Sequence, residues 1–264
     1  MHIEDAEILH IFTCRKTHKM NIKAQIPNTL TIFNLLAGLV SITLVFDGNL
    51  VMASIFIFIA GVFDFLDGTA ARLLNARSPL GKELDSLADL VSFGVAPGLI
   101  MYHLLSLHCA GSCNSLERMH IIPYFALLIP VCSAIRLGKF NLDSRQEEYF
   151  IGLPTPANAF FFAAIPLVIS LQPHIYSILN LDFLITFFSN SRILAVLTIL
   201  FSYLLISDIP LFSMKFKTFD WKTNRIRFVF LMISFVMVFL FSLDAIPLII
   251  ASYILLSLFF FRHA

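Results

Sequence analysis

Four aspartates set the chemistry within reach of this sequence. Asp64 and Asp67 stand three residues apart, and Asp85 and Asp89 four apart; both spacings put side chains on one face of an α-helix. Both pairs fall inside long apolar runs, where an ionisable group is expensive and marks a functional site by default. Four carboxylates brought together repel one another unless protons or cations neutralise them. Oxygen-only donors favour hard divalent ions such as Mg²⁺, Mn²⁺ or Ca²⁺, and two ions would balance four charges. Buried salt bridges to Arg72, Arg77 or Lys82, or a proton- or sodium-coupled transport pathway, are the competing uses of the same carboxylates. Gly68, Ala70 and Ala71 follow Asp67 directly, and Gly81 precedes Asp85 by four. They leave backbone bare beside the carboxylates, which admits either a neighbouring helix or a bulky planar ligand.

The elements that must carry these residues follow from composition. The chain has 264 residues, 58% hydrophobic and only 13% charged, with 29 Phe and a mean hydropathy of +0.87. A soluble domain carries about a quarter charged residues, so the fold class is an all-α, polytopic membrane protein. With 10 Gly, 11 Pro and 4 Cys, the chain is neither a collagen-like repeat nor a disulfide scaffold. A net charge of +1 implies no nucleic-acid partner. Apolar runs near 29–47, 50–72, 84–105, 121–138, 157–172, 193–208, 228–244 and 246–261 predict about eight transmembrane helices. Asp47-Gly48-Asn49, Arg77-Ser78-Pro79 and Asp244-Ala245 supply turns between them. Residues 1–26 read as a cytosolic or interfacial arm without a cleavable signal. Residues 27–264 read as one transmembrane catalytic domain, with the aspartate-bearing helices at about 50–105. Arg15, Lys16, Lys19 and Lys23 precede the first run and put the N-terminus in the cytosol. Eight crossings return the C-terminus there and leave Arg118 and Arg192 outside, with the rest of the 18 Lys and Arg inside.

The two aspartate pairs flank the Arg77-Ser78-Pro79 turn at similar distances, so their stripes can face each other near the cytosolic side. The stretch reads Asp64-x2-Asp67-Gly68-x2-Ala71-Arg72-x8-Gly81-x3-Asp85-x3-Asp89. It resembles the signature of the CDP-alcohol phosphotransferases at every specified position. Further segments are similar to the branch of that family whose acceptor is L-serine. These are Ile26-Pro27-Asn28-Thr29-Leu30-Thr31-Ile32-Phe33-Asn34, Ser92-Phe93-Gly94, Arg136-Leu137-Gly138-Lys139-Phe140-Asn141, Gly152-Leu153-Pro154-Thr155-Pro156-Ala157 and Ser207-Asp208-Ile209-Pro210. The likeness departs at Gly138 and Asn158, where Ala is more usual.

The resemblance implies transfer of a phosphatidyl group from CDP-diacylglycerol to an alcohol at a site with two divalent ions, Mg²⁺ or Mn²⁺. Asp64, Asp67, Asp85 and Asp89 would be metal ligands, with Asp89 also the general base. Gly68, Thr69, Ala71, Arg72, Gly81, Asn28 and Thr31 would meet CDP-diacylglycerol; Asn34 lies on the same stripe as the last two. Arg136, Lys139, Asn141 and Thr155 would meet serine, with Arg145 and Asn158 nearby. For each the structural alternative stands: interfacial anchoring for the basic residues, turn formation for Pro154-Thr155-Pro156, and helix packing for the small and polar residues. Glycerol 3-phosphate, inositol phosphate or choline are the alternative acceptors, and a cation-coupled transporter is the alternative class. The resemblance also implies a homodimer and a bacterial inner membrane. Cys109 and Cys113 fall in an expected external loop, Phe160-Phe161-Phe162 supplies lipid-facing or packing bulk, and Trp221 reads as an interface anchor.

Overall fold

Turn chemistry divides the chain where its residue types require. Helix α1 (Ile22–Phe46) and helix α2 (Leu50–Leu73) are joined by Asp47-Gly48-Asn49. Gly48 adopts φ 75°, and Asn49 caps α2 by accepting from the Met52 amide at 3.2 Å. After α2, Asn75 takes a left-handed φ of 48°. Ser78 then caps helix α3 (Pro79–Asp89), accepting from the Gly81 amide at 3.0 Å. Pro79 occupies the first turn, where its missing N–H costs nothing. The helix continues through a π-helical turn, Leu90–Val95, into α4 (Ala96–Ser112).

The computed structural model describes residues 22–76, 78–112, 121–142, 150–170, 182–211, 221–241 and 245–262. Beyond α4, a 3₁₀ turn at Ile122–Leu127 leads into α5 (Leu128–Leu142). There follow α6 (Thr155–Ser170), α7 (Asp182–Phe188), α8 (Ser191–Ile206), α9 (Trp221–Phe241) and α10 (Ile246–Arg262). A two-residue antiparallel pair joins β1 (Phe150–Ile151) to β2 (Pro210–Leu211). Gln25–Phe46, Leu50–Leu73, Pro79–Leu107 and Ile122–Leu142 are long and apolar enough to cross a bilayer. Thr155–Ser170, Ser191–Ile206 and Ile246–Phe259 are apolar but shorter. The chain is an all-helical membrane protein with four spans of crossing length among the described residues.

Helices occupy all eight predicted runs, with shifted ends. The first begins at Ile22 and carries Pro27 within it. The third begins at Pro79, because the polar turn Pro79-Leu80-Gly81-Lys82-Glu83 is helical although a hydropathy reading stops short of it. Neither α7 nor the strand pair was expected; each is too short to register as a period.

Interior packing centres on α6. Phe161 and Phe162 are buried, and the Phe161 ring stacks on Phe201 of α8 with centroids 3.9 Å apart. Of the two roles open to that Phe run, these rings take packing. Phe46, Phe235 and Phe239 are exposed, as a lipid solvent allows. Small residues bring the site-bearing helices close. A Cβ on Gly38 would lie 2.8 Å from Ser92 Cα, and one on Gly98 would lie 2.8 Å from Pro130 Cδ. The Ser41 hydroxyl reaches the Ala53 carbonyl at 2.8 Å, tying α1 to α2.

Candidate active site

The helical spacings of the two aspartate pairs bring three carboxylates together. Oxygens of Asp64 and Asp67 on α2 and Asp85 on α3 all lie within 4.8 Å of one another. Asp67 is buried, and the Thr31 hydroxyl of α1 donates to its Oδ2 at 2.7 Å. Asp85 Oδ1 is buried without a partner, an arrangement that native structures rarely leave unanswered. Three converging anions, hard oxygen donors and an orphaned oxygen fit a divalent cation. The cluster could bind a metal ion.

Among the described residues, the neighbouring cations Arg72 and Lys82 are engaged elsewhere. Arg72 turns back on its own helix, its Nε donating to the Gly68 carbonyl at 3.0 Å and its Nη2 to the Thr69 hydroxyl at 3.4 Å. Lys82 Nζ donates to the Asn141 carbonyl at 3.1 Å. Arg77, the third partner in the salt-bridge alternative, lies outside the described residues.

Asp89 stands outside the triad but within electrostatic range of all three members. It is buried and accepts from Asn34 Nδ2 of α1 at 3.1 Å. The Asn34 carbonyl in turn accepts from the Ser92 hydroxyl at 3.0 Å, in the π-helical turn that begins directly after Asp89. One residue of α1 thus grips the last carboxylate with its side chain and the following turn with its backbone. Asn34 was legible only as part of a polar stripe at i,i+3 from Thr31, and Ser92 only as part of the Ser92-Phe93-Gly94 segment, with no role of its own.

Beside the triad opens a cavity of about 460 Å³, with Asn28, Thr31, Gly68, Ala71 and Gly81 on its walls together with Asp67, Lys82 and Asp85. Its size suits a small-molecule site. At Gly68 a Cβ would meet nothing within 4 Å, whereas at Gly81 it would crowd Asn28 Oδ1 at 2.9 Å. The first glycine keeps the cavity open; the second lets α1 and α3 approach. Thr69 does not line the cavity, and its hydroxyl reaches the Phe65 carbonyl at 2.8 Å.

The residues expected to meet the acceptor separate into two groups. Arg136 is buried on α5, with Nη1 3.4 Å from the Thr155 hydroxyl of α6 and its guanidinium 5.9 Å from the Phe140 ring centre. Arg136 also lies within electrostatic range of Asp89. Lys139 instead reaches the Ile206 carbonyl at 3.4 Å, and Asn141 Nδ2 donates to Ser86 at 2.9 Å; both tie α5 to neighbouring helices. Gly152, at φ 75°, donates to the Ile209 carbonyl at 2.9 Å, and Leu153 to Leu204 at 3.0 Å. These bonds anchor the chain just before Thr155. Arg118, Arg145 and Cys113 lie outside the described residues, as do the side chains of Cys109 and Trp221.

A helical membrane protein with a carboxylate triad beside a cavity of small-molecule size defines a narrow class. Residues 24–204 match the family model for CDP-alcohol phosphatidyltransferase. The chain belongs to this family and is a phosphatidyltransferase. It is 36% identical over 188 residues to the CDP-diacylglycerol–serine O-phosphatidyltransferase of Bacillus subtilis (strain 168), a match covering 70% of this chain and 88% of that protein. It is 36% identical over 155 residues to the protein of that name from Mycobacterium leprae (strain TN), covering 56% of this chain and 48% of that protein. It is 35% identical over 136 residues to the archaetidylserine synthase of Methanothermobacter thermautotrophicus, covering 51% of this chain and 54% of that protein. The chain therefore spans most of the Bacillus relative and about half the length of the other two. Membership in an enzyme family removes the transporter alternative.

Proposed function

We propose that this chain transfers the phosphatidyl group of CDP-diacylglycerol to the hydroxyl of L-serine, giving phosphatidylserine and CMP. The observation that carries the reading is the convergence of Asp64, Asp67 and Asp85 within 4.8 Å beside a cavity that Asp67 and Asp85 line together with Gly68, Ala71 and Gly81. The names of the relatives support serine as acceptor over glycerol 3-phosphate, inositol phosphate or choline.

In this reading the triad, with Asp89 close by, holds two divalent ions, Mg²⁺ or Mn²⁺. Bound there, they would offset the charge of the diphosphate and of the departing CMP. Asn28, Thr31, Gly68, Ala71 and Gly81 bind the nucleotide, with Lys82 at the cavity wall. Arg72 and Thr69 serve it indirectly, by fixing the end of α2. Asp89 accepts the proton of the acceptor hydroxyl as its oxygen attacks the β-phosphorus and the bond to CMP breaks. Asn34 holds the Asp89 carboxylate for that task. Arg136, steadied by Thr155, meets the serine carboxylate as a planar fork. Lys139 and Asn141 hold α5 in place around it.

The whole chain would cross the inner membrane eight times as a single catalytic domain after a short cytosolic arm. Its termini and site would face the cytosol, and it would work as a homodimer. The test is CMP release by purified protein in CDP-diacylglycerol micelles with Mg²⁺ or Mn²⁺, alcohols being supplied one at a time. Serine-dependent release that is lost in Asp89→Asn is the expected result. Release with another alcohol alone would overturn the acceptor.

A further inference from the structure

We infer that Asn158 and Tyr253 complete the acceptor-recognition site around Arg136, so that the last helix of the chain takes part in choosing the alcohol. The inference rests on the proposed transfer to serine; it gives a contact to Asn158, which the resemblance left only near the acceptor residues, and a role to Tyr253, which lies beyond the family match.

Its basis is a concentration of buried polar atoms without partners. Arg136 Nε, the Ser133 hydroxyl and both amide atoms of Asn158 are unpartnered, and the three residues are 7%, 0% and 0% exposed. Buried polar groups are almost always satisfied by protein, water or ligand, so several orphans in one place mark a site that something else completes. Ser133 and Arg136 lie one turn apart on α5, and Thr155 and Asn158 one turn apart on α6, so each pair shares a face. The contact of Arg136 Nη1 with the Thr155 hydroxyl at 3.4 Å joins the two faces. α10 packs against α6, the helix of Thr155 and Asn158; its Tyr253 is buried, packs edge-on against Phe230 of α9 with centroids 5.7 Å apart, and lies within electrostatic range of Arg136. Asp89 lies within the same range of that guanidinium. One cation therefore links the proposed base to a helix that stands wholly beyond the family match at residues 24–204.

The chemistry of the orphaned atoms selects the ligand. Arg136 offers an unused Nε–H beside its Nη atoms, the fork that a carboxylate oxygen pair accepts. Asn158 offers a donor and an acceptor on one planar group, the pair needed by a molecule carrying ammonium and carboxylate on the same carbon. Asn158 would touch the acceptor and act in specificity. Tyr253 would be a positioning residue, setting the polarity around the guanidinium from α10. An acceptor without the carboxylate, such as ethanolamine, leaves these buried groups unanswered, and sites of this kind discriminate strongly against such analogues.

The test is steady-state CMP release by the full chain in mixed micelles with Mn²⁺, for wild type, Asn158→Leu, Asn158→Asp and Tyr253→Phe. Serine, ethanolamine and CDP-diacylglycerol are each varied, and thermal unfolding in detergent checks folding. Loss of one hydrogen bond to a charged group should raise the serine KM of the Asn158 variants about tenfold or more, with the CDP-diacylglycerol KM within about twofold of wild type. Tyr253→Phe should raise the serine KM by a smaller factor and narrow the preference for serine over ethanolamine. Should Asn158→Leu fail to fold, Asn158→Asp and Tyr253→Phe decide by the same readouts. Folded variants with unchanged serine KM and unchanged discrimination overturn the inference while leaving serine transfer intact. A wild-type chain that ignores serine overturns the acceptor assignment itself, and is recognised before any variant is made.

Discussion

Replacing Asn34 by Ala separates the proposed base, Asp89, from its holder. Asn34 Nδ2 lies 3.1 Å from Asp89 Oδ1, with both side chains buried. A hydrogen bond to a charged group contributes about 1.5–3 kcal/mol. If that contribution is needed only when Asp89 is correctly aimed, its loss lowers kcat about 10- to 150-fold. The Ser92 hydroxyl bonds to the Asn34 carbonyl rather than to its side chain, so the clamp between α1 and the π-helical turn survives the substitution. The contact with Asp67 comes from Thr31 and is untouched, so KM for CDP-diacylglycerol should hold. The assay is CMP release under saturating serine, with Ser92→Ala as the control for helix docking. A folded Asn34→Ala protein with kcat within about twofold of wild type would refute the reasoning, as would a loss confined to KM for CDP-diacylglycerol.

Three further outcomes follow from the same geometry. Asp85→Asn relieves like-charge repulsion in the triad, so it should raise the unfolding temperature of chelator-treated protein while weakening the stabilisation that Mn²⁺ gives; a thermal scan with and without Mn²⁺ reads both, and a lowered temperature without metal would count against the cluster. Gly68→Val should leave stability unchanged, because a Cβ there meets nothing within 4 Å, yet raise KM for CDP-diacylglycerol by filling the cavity; an unchanged KM would remove Gly68 from the site. Gly152→Ala should destabilise by about 1–3 kcal/mol, since its φ is 75° and the new methyl would lie 2.9 Å from the Leu205 and Ser207 carbonyls; denaturant or thermal unfolding in detergent checks it.

The aspartate motif was legible because its chemistry depends on fixed helical spacing across a single turn, and both the spacing and the turn residues are local. Asn49, Ser78 and Pro79 declared the helix starts for the same reason. The grip of Asn34 on Asp89 was half legible: a polar stripe on a spanning helix must face protein or a cavity, but its partner lies on another helix. Arg136 was ambiguous, since a cation near the end of an apolar run serves equally as an anchor at the interface and as a buried ligand; only its burial decides. Tyr253 was invisible, one tyrosine in an apolar helix whose neighbours are set by tertiary packing. The π-helical turn was invisible too, because the lone Gly94 in Leu90-Val91-Ser92-Phe93-Gly94-Val95 reads equally as a small residue for helix packing and marks no change of pitch.

That turn has a mechanical consequence. Each π-type bond accommodates one residue more than an α-type bond, so the span from Pro79 to Ser112 behaves as two helices with a phase shift between them. The leading half keeps α pitch, which aligns Gly81, Asp85 and Asp89 on one face. The trailing half answers to a different partner, laying Gly98 against Pro130, and is free to choose its own angle. A span built this way can tilt or rotate its trailing half to suit its neighbours while its leading half keeps the aspartates in register.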